Sequence, residues 1–132
     1  MHLESRKINS NIMRVDYRGD YMPKHEFGIM NNKPMDKEIF NEYDPNKYNC
    51  ISIDDDFIEP ILIELQNVIC YWHTLENKGD GLAYCGITLI PPESMGLLKD
   101  VLLQQDNTEY IDLISLVNKA KEDNKYIIHF GI

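Results

Sequence analysis

A chain of 132 residues with 13 Lys and Arg against 22 Asp and Glu carries a formal charge of −9, a sign that opposes binding to nucleic-acid phosphates. Its 43% hydrophobic and 27% charged residues fit one soluble globular domain over residues 1–132, large enough for a core without staples. The longest apolar stretch, 61–72, is broken by Glu64, Gln66 and Asn67, and the polar start lacks an apolar signal region, so neither a bilayer span nor secretion is expected.

Residues 11–17 predict a strand through Ile12, Met13, Val15 and Tyr17, closed by an Arg18-Gly19-Asp20 turn. Gly28, Asn31, Asn32, Pro34 and Pro45 make residues 28–47 mostly loop, with one helical turn near 37–43, before a short strand over 48–53. The strongest helical signal follows. Ile58, Ile61, Leu62, Leu65, Val68, Ile69, Trp72 and Leu75 recur at steps of three and four, with Asp56 and Glu59 as a capping box. On that stripe Trp72 is a core residue. Pro60 fits only if it falls in the first turn. A turn over 77–81 ends this helix, and residues 82–90 predict a central strand stopped by Pro91-Pro92.

A second helix is expected over 93–105, with Met95, Leu98, Val101 and Leu102 inward. A third is capped by Thr108 and buries Tyr110, Ile111, Leu113, Ile114 and Val117, with Lys119, Lys121 and Lys125 favourable to its dipole near the end. A last strand covers 125–130. The order predicts an α+β fold: a small mixed, mainly antiparallel sheet of about four strands, covered on one face by about three helices.

The charge is unevenly placed. Residues 1–47 hold eight acids and eight bases, whereas residues 48–132 hold fourteen acids and five bases, which accounts for the whole −9. A carboxylate-rich surface attracts cationic proteins. The run Asp54-Asp55-Asp56 lies at a strand-to-helix junction. It lacks the spacing, glycine hinge and distal bidentate Glu of a calcium loop, so helix capping or anionic docking suits it better than a metal. The expected partner-binding set is Asp54, Asp55, Asp56 and Glu59, with Asp80 in the following turn.

No catalytic, cofactor-binding or metal-binding set emerges. Cys50, Cys70 and Cys85 are odd in number and widely spaced, which suits reduced thiols in the cytoplasm, and Cys70 and Cys85 read as small core residues. Neither CxxC nor HExxH occurs, and no glycine loop could cradle a phosphate. His73, near a helix end, and His129, in the last strand, read as hydrogen-bonded structural groups. A hydrolase would need two such groups to converge on one substrate. Tyr17, Tyr21, Met22, Met30 and Met35 could line either an interface or the core.

Length, acidity, the missing catalytic set and two segments together carry a resemblance. Those segments are Tyr84-Cys85-Gly86-Ile87-Thr88-Leu89-Ile90-Pro91-Pro92-Glu93-Ser94 and Tyr126-Ile127-Ile128-His129-Phe130-Gly131-Ile132. In these the chain resembles small acidic immunity proteins of bacterial toxin systems, including those of contact-dependent growth inhibition. The resemblance implies a protein that binds and neutralises a cognate toxin C-terminal domain, often a basic nuclease, and contacts neither nucleic acid nor membrane. Complementary potentials would speed encounter, and a few buried anchors inside a charged rim would hold the complex. Two other readings stay open: a regulatory or interaction subunit that forms a homodimer, and a small hydrolase using His73 or His129 with a carboxylate.

Overall fold

The computed structural model describes residues 13–15 and 21–132. Among the described residues seven strands form one sheet: β1 (Met13–Val15), β2 (Tyr21–Ile29), β3 (Ile51–Asp54), β4 (Ile69–Trp72), β5 (Lys78–Asp80), β6 (Ile87–Ile90) and β7 (Ile127–Phe130). Their order is β1-β2-β7-β6-β4-β5, with β3 also on β2. Every pairing among the described residues is antiparallel. The fold is α+β, with a sheet larger than the expected four strands and, among the described residues, no parallel pair. The rest of the expected 11–17 strand and the Arg18-Gly19-Asp20 turn lie outside the described residues.

Strand β2 has no counterpart in the sequence reading. Its centre, Lys24-His25-Glu26, looks like surface, yet His25 is 0% and Glu26 3% exposed. They point to opposite faces of the sheet and each belongs to the buried polar set of its own face, so a hydropathy pattern misses the strand.

The helix expected from residue 58 to 75 is interrupted. Helix α1 (Asp55–Ile58), a 3-10 turn over Glu59–Ile61 and helix α2 (Leu62–Leu65) take its first half. Pro60 has no N–H to continue the α-helical ladder, which accounts for the 3-10 step. Asp54 sits at the N-cap without a side-chain cap bond, so the predicted Asp56–Glu59 capping box does not form there. The stripe Ile58, Ile61, Leu65 and Val68 is buried as expected. Beyond it the chain turns at Gln66, and Ile69-Cys70-Tyr71-Trp72 becomes β4, since β-branched and aromatic residues suit a pleated sheet. His73 follows at φ 67°, in the left-handed region, instead of near a helix end.

The expected turn over 77–81 contains edge strand β5. There the half-buried Trp72 ring lies on Gly79, where a Cβ would meet ring carbon at 2.3 Å, and its Nε1 donates to the Gly81 carbonyl at 2.9 Å. Only Ile87–Ile90 of the expected 82–90 strand is extended. Residues 82–86 loop back, held by Ala83 N–H to Thr88 Oγ at 2.9 Å.

Helices α3 (Met95–Gln104) and α4 (Ile111–Glu122) match the reading closely, and Met95, Leu98, Val101 and Leu102 are buried. The cap of the third helical unit is Asn107, whose side chain accepts from Glu109 N–H, rather than Thr108. Because Tyr110 belongs to the 3-10 turn Thr108–Tyr110, the buried phase runs Tyr110, Leu113, Val117, Ala120, which turns Ile111 outward at 56% exposure. Both helical segments cover one face, over Phe27, Ile53, Cys70, Ile90 and Ile127. The opposite face, with Met30, Ile87, Leu89, Ile128 and Phe130, is covered by Phe40, Tyr43 and Tyr48 from the long loop after β2. That loop forms a 3-10 turn at Pro45–Tyr48 and no helix near 37–43. No helix among the described residues is long and apolar enough to cross a membrane.

Candidate functional site

Register brings three polar side chains together on the helix-covered face. Thr88 on β6 lies directly opposite His129 on β7, and His129 lies opposite Phe27, two residues along β2 from His25. Asp55, the first residue of α1, closes the row from above, and Tyr84 approaches from the loop before β6. His25 Nε2 lies 2.8 Å from Asp55 Oδ1, and the Tyr84 hydroxyl donates to Asp55 Oδ2 at 2.6 Å. His25 Nδ1 lies 2.9 Å from His129 Nε2, and His129 Nδ1 lies 3.0 Å from Thr88 Oγ. The two imidazoles stack with centroids 5.1 Å apart.

These contacts admit one consistent set of protons. Burial holds His25 below its ordinary 6.5, outweighing the hydrogen bond and charge of Asp55. It holds His129 further below, with the neighbouring His25 adding to the effect. Two neutral imidazoles each offer one donor and one acceptor. His25 therefore donates from Nε2 to Asp55, and accepts at Nδ1 from His129 Nε2–H. His129 accepts at Nδ1 from the Thr88 hydroxyl, which itself accepts from Ala83 N–H. Both ring nitrogens of each buried histidine are thus occupied. Tyr84 is raised above its ordinary 10, first by burial and then by its bond to Asp55, so it remains a donor at neutral pH. The row locks α1, β2, β7, β6 and the 82–86 loop together.

The expected partner-binding residues fall in different places. Asp54 is ion-paired with Lys24 on β2, and both oxygens of Asp55 accept hydrogen bonds. Asp56 and Glu59 are exposed. Asp80 lies on edge strand β5, five strand positions from β3, which corresponds to roughly 24 Å along a sheet. Only Asp56 and Glu59 of the five therefore present free carboxylates beside one another.

Additional acids join them at one end of the helical layer. Glu64 on α2 accepts from Gln105 Nε2 at 2.9 Å, and Tyr110 donates to the Phe57 carbonyl at 2.7 Å. These contacts set the α1–α2 segment against the α3–α4 connection, which carries exposed Asp106 and Glu109, followed by Asp112. At the same end Ile63 is 79%, Leu103 51% and Ile111 56% exposed. No Lys or Arg occurs between residues 100 and 118, or between 48 and 77.

His73 and His129 do not share a partner. His73 Nδ1 donates to the Phe40 carbonyl at 2.8 Å and lines a shallow notch with Tyr43 and Cys85. Cys85 is exposed, contrary to the core reading, because the 82–86 loop leaves the sheet. Cys70 is buried as expected, its thiol pushed up to about 12 by burial, and all three cysteines are free. No group of three or more His, Cys, Asp or Glu able to hold a metal occurs among the described residues. Compared with family models, characterised proteins and solved structures, the chain matches none.

The buried row joins residues up to 104 positions apart, which local spacing cannot reveal. One signal was present. His129 interrupts an otherwise apolar strand, and a histidine in such a place needs a polar partner.

Proposed function

We propose that the protein is an immunity-type inhibitor that docks the acidic end of its helical layer on a cationic toxin domain. The carrying observation is the combination of exposed Ile63, Leu103 and Ile111 with carboxylates at Asp56, Glu59, Glu64, Asp106 and Glu109. Apolar anchors within a charged rim are the common anatomy of a tight interface. The missing lysines and arginines in these segments give the rim one sign, suited to a nuclease cleft that holds phosphate. Asp54 and Asp55 support this end from within: one is held by Lys24, and the other fixes the start of α1 to His25 and Tyr84. The two buried histidines suit a scaffold, since each has both ring nitrogens occupied.

The test is a kinetic binding measurement by surface plasmon resonance of the full chain on the immobilised toxin domain encoded beside it, from low to high salt. Affinity should fall steeply with salt, and Glu59→Lys with Glu64→Lys should slow association about tenfold or more. Leu103→Asp should act mainly on dissociation. Salt-independent binding, or binding untouched by all three substitutions, would remove this face as the interface.

A further inference from the structure

We propose that a basin centred on Asn31, with Lys33, Lys47, Lys119 and Lys125 in its walls, binds a multivalent phosphate-bearing anion. Three adjoining depressions, of about 330, 280 and 160 Å³, all include Asn31 in their walls. Lys47 is shared by the first and third, Lys125 by the first and second, and Lys33 by the second and third. Three lysines therefore each line two of the depressions that meet at Asn31, and Lys119 lines the first as well.

The three shared lysines come from three separate parts of the chain. Lys33 is in the loop after β2, Lys47 in the Pro45–Tyr48 turn, and Lys125 in the connection from α4 to β7. The first and third of these segments are tied by Met30 N–H, which donates to the Tyr126 carbonyl at 2.9 Å, and Lys125 is fixed against the end of α4 by its N–H to the Ala120 carbonyl at 2.9 Å. None of the three lysines forms an ion pair among the described residues. Lys47 lies over the Tyr48 ring, 5.5 Å from its centre. The carboxylates in the walls are Asp123, Glu38 and Glu93. Asp123 pairs with Lys119 at 3.4 Å, Glu38 accepts from Met35 N–H at 3.1 Å, and Glu93 is exposed.

Complementing the α4 dipole explains Lys119 and Lys121, and could explain Lys125. It does not explain Lys33 and Lys47, which belong to other segments. A chain with charge −9 repels anions at a distance, so a monovalent ion would gain little here. An ion with two or more charges can meet several ammonium groups at once, and lysine binds phosphate as a point charge. The Asn31 and Asn49 amides can add neutral donors.

Inorganic pyrophosphate is the probe, titrated into the isotope-labelled full chain and followed by amide chemical shifts and calorimetry. Saturable 1:1 binding is expected, with shifts confined to residues 29–33, 47–49 and 123–126. Lys47→Gln and Lys125→Gln should each weaken it about tenfold, and Lys78→Gln, on edge strand β5 and outside the basin's walls, should leave it unchanged. Spectra of the variants matching the parent outside the basin would show that the fold is intact. Lack of saturation by about 10 mM, shifts spread over the surface, or an equal loss in Lys78→Gln would overturn the proposal.

Discussion

The two faces of the sheet are built differently. One is covered by helices and the other by a loop. On the helix face, side chains from α1 to α4 interdigitate over Phe27, Ile90 and Ile127, and the polar row from Thr88 to Asp55 lies at one end. On the loop face an aromatic cover rests on Leu89, Ile128 and Phe130, and the buried carboxylate of Glu26 takes donors from Tyr43 and Ser52. Alternation along β2 feeds both clusters, with His25 pointing one way and Glu26 the other. A short sheet can therefore hide polar groups on both sides when each side has its own hydrogen-bonded set. The helix face is bound by regular packing, whereas the loop face depends on a few anchors such as Phe40 N–H to the His73 carbonyl at 2.7 Å.

The largest contrast should appear on truncating the two covers. Leu102→Ala, on the helix face and 1% exposed, should cost about 2–5 kcal/mol in urea unfolding. Phe40→Ala, on the loop cover and only half-buried, should cost clearly less, about 1–2 kcal/mol. Equal losses would mean that the loop is packed as firmly as the helices.

Thr88→Val tests the polar row at nearly constant volume. It leaves His129 Nδ1 and Ala83 N–H without their partner, and should cost about 1–3 kcal/mol. A change near zero would mean that water replaces the hydroxyl in the folded protein.

Acid response separates the faces further. His25 and His129 are held below 6.5 when folded, so the unfolded chain takes up protons first as pH falls. Their contribution is fully present above about pH 6.5 and is lost as pH falls toward the folded values, by up to about 1.4 kcal/mol per unit for each histidine. Urea midpoints measured from pH 8 to 5 should show this slope. The double variant His25→Gln/His129→Gln should flatten it, and an unchanged slope would place the acid sensitivity elsewhere.

The smallest effect is expected at the row's outer end. Asp55 is 17% exposed, so in Tyr84→Phe water can replace the lost hydroxyl. A loss of about 0.5–1 kcal/mol should appear in the same unfolding measurement. A loss as large as that of Thr88→Val would mean that Tyr84 shields the row from solvent.

Sequence by itself determined the α+β class, the two helices around Leu98 and Leu113, the final strand and the uneven charge. Each depends on interactions between near neighbours or on composition, which are local quantities. Tertiary structure decided the rest. Ile69–Trp72 has apolar spacing compatible with a helix, yet an open place beside β6 made it a strand. His25, Thr88 and His129 are unremarkable polar residues until strand register sets them in hydrogen-bonding range. Of the acidic run, Lys24 and His25 on β2, 30 positions earlier in the chain, occupy Asp54 and Asp55, leaving Asp56 to face solvent. Burial and pairing are properties of partners far along the chain, and only a closed sheet makes them neighbours.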